Sequence, residues 1–435
     1  MAARKKLRRR SERAHRGLTL IEMLVAVTIT LIMLFSVLKL AQVIGTSSSQ
    51  GRAIIELAGE VRQAGNRLQA DLDKRTVTAL SLIDSGAGIG YFEYSEGPYR
   101  DGNFGNGNPL GFMGDPDDVL RFTATAVDSE PFSGVVNGQM MTSATAEIIW
   151  WLRFNPDVDD KVDIASGNKD GIWNPGETKT LHRRVLLIRP DINPGVPNGS
   201  IDAFQSTNDL SVRRGPSGNL VANTLNDLTR RENRFMSSFS APFLLDRTRL
   251  GTANGVDTAR LQGDAQGEDV VLSRVMAFDV KAFDPMAPVR AAGAYGLVPG
   301  DPGWTGANNV GLGAFVDLNY AGDSNPLGSP ARMSYFSGGP MVQSRILAPD
   351  ACYDTWSMHY ERDGLDNNIP PNGLIDEGTD GIDNDNNGFV DDPGELESSP
   401  PYPVPLRGIK VILRVYEPDS RQVRQSTILS DLMPE

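Results

Sequence analysis

The 435-residue chain has one cysteine, Cys352, and three histidines. A single cysteine excludes an intrachain disulfide framework. Only His182 and His359 lie outside the basic leader, and neither has a recognisable partner in the sequence. There is no G-x-S-x-G, no H-E-x-x-H and no phosphate loop, so no nucleophile, base or open metal site names a reaction. Positive charge is also scarce after the first residues. The first 17 residues carry a net +7, which leaves −20 for the rest of a chain whose total is −13. An acidic body of that kind repels nucleic acid and suits cations, or simply a solvated surface. From Leu18 to Ile44 there is neither Gly nor Pro to interrupt a helix.

What is there begins with Gly17–Leu38, GLTLIEMLVAVTITLIMLFSVL. A hydrocarbon core of ~30 Å needs about 20 apolar residues in a helix, and this run supplies them. The basic residues before it favour a cytoplasmic N-terminus. The run is too long for a secretory signal's apolar region, and no small-x-small cleavage site follows it. Glu22 is an acid near the start of the run. A carboxylate in a spanning helix is costly enough to imply a partner or a function.

The order of basic leader, Gly17, Leu18, then Thr-Leu-Ile-Glu22 and an apolar helix resembles the prepilin cleavage and methylation signature of type IV pilins and type II secretion pseudopilins. Leu18 stands where that family usually has Phe. The resemblance implies that prepilin peptidase cuts between Gly17 and Leu18 and methylates the Leu18 amine. It also implies that Glu22 pairs with the Leu18 amine of a neighbouring subunit when the helices bundle. A buried carboxylate opposite a buried ammonium costs far less than either alone. Where major pilins commonly place a helix-bending proline this chain has Lys39, which points to a straighter, minor-subunit helix.

Ile54, Leu57, Ala58, Val61, Ala64, Leu68 and Leu72 recur at three- and four-residue spacing, one apolar stripe of an amphipathic helix. The spacing predicts one helix over 18–74. Its first part, 18–44, suits a membrane or filament, and 45–75 is its amphipathic continuation. Apolar, β-branched and aromatic runs predict strands near 118–124, 147–154, 180–188 and 270–283, with a hairpin over 409–416 and 421–429. The expected class is α+β: a long N-terminal helix packed on an antiparallel sheet with long loop insertions, the body running over 76–435. Segments 190–233 and 287–349, rich in Gly, Pro, Asn and Ala, read as loops or a small inserted subdomain. Trp151-Leu152-Arg153, Leu181-His182-Arg183, Phe278-Asp279-Val280 and Phe283-Asp284 resemble short motifs of J-type minor pseudopilins and W-type minor pilins.

Between Asp350 and Glu397 there are 14 acids and one base, Arg362. The acidic insertion 363–397 holds DGIDNDNNGFVDD at 380–392. Asp383, Asp385 and Asn387 fall at positions 1, 3 and 5 of a calcium loop, Gly388 at 6, the Phe389 carbonyl at 7 and Asp391 at 9. The final acid, Glu395, is one residue late. In the insertion 155–177, a second loop starts at Ser166. It places Asn168, Asp170, Ile172, Asn174 and Glu177 at positions 3, 5, 7, 9 and 12. Oxygen ligands at alternate positions let a tight turn wrap one hard cation, so a structural Ca²⁺ is expected; polar loops closed by Asx turns use the same residues.

These readings together predict a non-catalytic, minor pseudopilin-like subunit of the inner membrane. Its N-terminus would be cytoplasmic and its body periplasmic. It would enter a type II secretion pseudopilus, in its tip complex, by its N-terminal helix. Its partners would be prepilin peptidase and other pilin-type subunits, with no nucleic acid. The alternatives are a minor type IV pilin carrying a calcium-dependent adhesion module, and a membrane-tethered hydrolase.

Overall fold

The computed structural model describes residues 19–77, 88–96, 115–127, 130–153, 179–196, 199–237, 261–262, 266–292, 295–299, 301, 304, 308–318, 352–355, 366, 372–375, 377–378, 380–391, 395, 406–418 and 420–433. The chain divides into two compact units, Met1–Ile55 and Glu56–Glu435.

Helix α1 spans Leu20–Asp73. It contains a stretch long and apolar enough to cross a membrane. Throughout 20–44 the side chains are exposed, an apolar surface that water alone does not suit. The hydroxyls within it are satisfied locally. Thr28 donates to the Leu24 carbonyl (2.6 Å), Thr30 to Ala26 (2.7 Å) and Ser36 to Ile32 (2.8 Å). Such bonds let polar side chains reside in an apolar helix.

In the second unit the sequence stripe becomes a packing face. Leu57, Val61, Ala64, Leu68 and Leu72 are buried, and burying each leucine is worth roughly 1.5–3 kcal/mol. They join a core with one face of a ten-stranded sheet. The strands are β1 (Phe92–Ser95), β2 (Val119–Thr125), β5 (Thr145–Arg153), β6 (Lys179–Leu187), β9 (Val270–Ala292), β10 (Tyr295–Leu297), β11 (Asn309–Val316), β12 (Cys352–Asp354), β13 (Gly408–Glu417) and β14 (Gln422–Asp431). Two further pairs are β3 (Phe132–Val136) with β4 (Gln139–Ser143), and β7 (Val212–Arg214) with β8 (Leu220–Ala222). The main order is β12-β1-β2-β5-β6-β9-β13-β14, with β10 and β11 also on β9, and every pairing is antiparallel.

β5 shows why the strand sequences lack simple alternation. Ile148, Trp150 and Leu152 join the core that includes α1, whereas Ile149 and Trp151 join a second cluster with Phe235 and Met236. A strand buried on both faces reads as a continuous apolar run. Its neighbour is β6, with Ile149 opposite Arg184.

α1 is fixed to the sheet by a polar clamp as well. Arg183 Nε and Nη2 donate to Asp71 Oδ2 and Oδ1 (2.6 and 2.7 Å), and Trp150 Nε1 donates to Asp71 Oδ2 (2.9 Å). Gly65 sits where the helix meets β14: a Cβ there would lie 3.2 Å from Ser426 Oγ and 3.5 Å from Ile428 Cδ1.

Two stretches read as loops or a small inserted subdomain contain regular structure. Within 190–233 lie helix α2 (Ile201–Gln205), the β7–β8 pair and two 3₁₀ turns at Asp227–Thr229 and Arg231–Asn233. Within 287–349 lie the end of β9, then β10 and β11. The register shifts where β11 meets β9, between Asn309 and Gly311 and between Leu312 and Ala314. Bulges of that kind erase the two-residue alternation that a strand reading depends on.

Candidate functional sites

At the N-terminus, Gly17 and Leu18 lie outside the described residues, whereas Thr19 and Glu22 are described. The Thr19 N–H and hydroxyl donate to Glu22 Oε2 (2.9 and 3.0 Å), and the Glu22 N–H donates to Thr19 Oγ1 (3.3 Å). This reciprocal pair is a capping box, with Thr19 as N-cap of α1 and Glu22 three residues on. The Thr-x-x-Glu spacing carries that signal, and the sequence reading passed over it. Within one chain the Glu22 carboxylate therefore already has hydrogen-bond donors.

The loop at 380–391 is drawn together by its own backbone. Asp383 Oδ1 and Oδ2 accept the N–H groups of Asn387 and Gly388 (3.0 and 2.9 Å), and Asp385 Oδ1 accepts from Asn387 (3.0 Å). Asn387 Oδ1 accepts from Phe389 (2.8 Å). Gly388 has φ +95°, which suits glycine at the sixth position of a tight loop. Glu395, the acid one residue late, is buried and accepts from the N–H groups of Asn384 and Asp385 (the latter 3.2 Å). Asp383, Asp385 and Glu395 each offer a carboxylate oxygen within 4.8 Å of the other two. Asp391 turns elsewhere, accepting from the Gly381 N–H (2.9 Å). The three convergent residues fit a hard cation, because they offer oxygen donors alone. The second expected loop (Asn168, Asp170, Ile172, Asn174, Glu177) lies outside the described residues, as does His359.

His182 is held as a structural residue. Its Nδ1 lies 3.1 Å from Asp269 Oδ2, and its ring stacks on Trp151 at 5.1 Å between centroids.

Two buried charged centres flank β1. Glu93 receives Arg121 Nη2 (2.8 Å) and Arg231 Nη2 (2.6 Å) on one oxygen and Arg234 Nη1 (2.7 Å) on the other. Arg234 also reaches Asp354 on β12 (2.5 Å) and lies 4.0 Å from the Tyr91 ring centroid. Burial opposes ionisation of Glu93, but the three guanidinium groups outweigh it and hold the carboxyl well below its ordinary range. On the other side of β1 and before β2, Glu96, Asp115 and Asp118 converge, all fully buried, each with a carboxylate oxygen within 4.8 Å of the others. Burial first, then the neighbouring carboxylates, push Asp115 and Asp118 well above the usual carboxylate range. Neither centre was legible as a site in the sequence.

The prokaryotic N-terminal methylation motif matches residues 13–38 of this chain. No curated protein matches the chain, and no solved structure does. The match covers Gly17, Leu18, the capping box and the first part of α1. It is the signature of type IV pilins and pseudopilins, and it implies processing by prepilin peptidase and assembly with other pilin-type subunits.

Proposed function

We propose that this chain, a pilin- or pseudopilin-like subunit by its N-terminal signature, is a minor pseudopilin of a type II secretion system that sits in the tip complex of a periplasmic fibre. The reading is supported by one observation above the others: the matched signature leads directly into an apolar helix with exposed side chains and no proline, and that helix continues into the core of a large β body. The helix is the assembly element and the body is what the fibre presents. Cleavage falls between Gly17 and Leu18, the orientation is N-terminus inside, and the body is periplasmic. The test is mass spectrometry of the mature chain from cells, expected to begin at a methylated Leu18. A chain still carrying its leader, or cut beyond the helix, would overturn the reading. Glu22→Ala is expected to leave membrane insertion intact and block incorporation into fibres; normal incorporation would contradict the pairing role.

The acidic loop supports a calcium-binding part of the body, because Asp383, Asp385 and Glu395 converge within it. That loop also favours a second reading, a minor type IV pilin that uses calcium to order an adhesive surface. Phe389 and Val390 are exposed beside the acids, as an adhesive edge requires. Co-purification with secretion components supports the first reading, and co-purification with pilus components the second.

A further inference from the structure

The fully buried cluster beside β1 holds two carboxylate oxygens, on Asp115 and Asp118, with no hydrogen-bond donor among the described residues. Glu96 follows β1, while Asp115, Asp117 and Asp118 precede β2. They fill a gap in the sheet. β9 pairs with β6 as far as Val275 and with β11 from Ala282 onward. Between those segments, the Phe278 N–H donates to the Asp115 carbonyl (3.1 Å) and the Val280 N–H to Asp118 Oδ2 (2.6 Å).

Each of the three carboxylates is held through at least one oxygen. Asp115 Oδ1 accepts from the Asp117 N–H (3.1 Å), Asp118 Oδ2 from Val280, and Glu96 Oε2 from the Leu318 N–H (2.9 Å) and the Tyr94 hydroxyl. Asp115 Oδ2 and Asp118 Oδ1 are buried with no hydrogen-bond partner among the described residues. The Tyr94 oxygen faces both Glu96 Oε2 and the Val280 carbonyl, with Asp118 Oδ2 at 3.5 Å. A phenol has one proton and can donate it to only one of these acceptors. Lys281 lies nearby, but its ammonium is engaged by Asp317 (2.5 Å) and Asp279 (3.3 Å). Uncompensated buried carboxylates are costly unless they bind protons or a metal.

We propose that Glu96, Asp115 and Asp118 bind one calcium ion inside the sheet, bridging the end of β1 to the start of β2. The donor set selects the class of metal: it offers carboxylate oxygens and neither nitrogen nor sulfur, which suits calcium over zinc, copper or iron. Calcium tolerates irregular coordination and accepts further oxygens from carbonyls and water, whereas magnesium demands a near-ideal octahedron. The site is independent of the loop at 383–395. It would lock β1, β2 and β9 at a stretch of β9 that pairs with no strand on that edge among the described residues.

The test uses the full chain in detergent with both candidate loops silenced by Asp170→Asn, Glu177→Gln, Asp383→Asn and Asp385→Asn. After chelation and dialysis against calcium, metal analysis is expected to find one calcium per chain, and calcium should raise the melting temperature over chelator. Adding Asp115→Asn and Asp118→Asn is expected to remove that calcium and abolish the shift. Absence of calcium from the loop-silenced chain would overturn the proposal, and so would calcium retained by the further variant. If the further variant does not fold, the count and the melting shift of the loop-silenced chain decide alone: bound calcium with a shift supports the site, and neither overturns it. Magnesium at equal concentration is expected to bind more weakly; equal binding would overturn the assignment to calcium. Because the loops are silenced throughout, a failed loop site in the wild-type chain stays distinguishable from a failed buried one.

Discussion

Glu93 and Glu96 lie three residues apart and are both fully buried, yet the fold treats them in opposite ways. Around Glu93 it gathers Arg121, Arg231 and Arg234, so negative charge is met by fixed positive charge from the protein. Around Glu96 it gathers Asp115 and Asp118, so charge accumulates. Tyr94, between them in sequence, faces the acidic side, while Ser95 donates to Glu93 Oε1 (3.0 Å) on the other. The two-residue period of the strand separates the environments. Burial alone therefore does not say what a carboxylate is for; its neighbours do. The arginine-rich centre is a fastener, tying the 199–237 segment to the sheet. The acidic centre has the composition of a receptor for a cation.

The most damaging way to probe this contrast is to remove the compensated acid. Glu93→Ala removes the carboxylate shared by three buried guanidinium groups, and loss of about 3–5 kcal/mol of stability is expected in denaturant unfolding. The same substitution at Arg234 takes one of three arginines from Glu93 and an ion-pair partner from Asp354, and should rank just below it. If either variant unfolds like the wild type, the fastener is not what holds that face.

A smaller effect of opposite sign is expected from Asp118→Asn in chelator. It removes one of the mutually repelling charges while the amide oxygen can still accept from the Val280 N–H. Stability should rise by about 1 kcal/mol without calcium, and the calcium response should fall. A loss of stability in chelator would break the contrast between the two acids.

Acid titration sharpens it further. The folded-state pKa of Glu93 lies well below the ordinary 4.5. A depressed carboxylate contributes stability above its unfolded value and loses it as pH falls through its folded value. Wild type and Glu93→Gln should therefore differ most above about pH 4.5 and converge as the pH drops below it. A gap that stays constant with pH would deny Glu93 its ionised role. The smallest effect is expected at the surface. Asp383→Asn with Asp385→Asn should change the melting temperature in calcium by less than any of the buried substitutions, because much of that loop is exposed.

What could be read ahead of the structure follows from range. The stripe Leu57 to Leu72 and the hairpin of β13 and β14 repeat over a few residues, so their periods were visible. The loop acids Asp383 and Asp385 were visible for the same reason, although Asp391 turned out to serve Gly381. The centres beside β1 were not visible. Glu93 finds Arg231 and Arg234 more than a hundred residues away, and those arginines sit in a turn that looks solvated in sequence. Glu96 and Asp118 meet at Val280 and Leu318 through a gap in strand pairing, which no local spacing encodes. The capping box at Thr19–Glu22 was legible but was masked by the stronger family pattern that shares its glutamate.

The seat of Gly65 against Ser426 and Ile428 sets an order of events. The amphipathic stretch of α1 emerges from the ribosome hundreds of residues before β14, which supplies part of the surface it rests on, and Arg75 likewise awaits the Asp431 carbonyl (2.7 Å). Contacts of such long sequence separation form late. Until the closing hairpin is made, this stretch of helix must keep its leucines from other greasy surfaces, so a newly made subunit has a waiting period in which a chaperone or a sister helix can claim it.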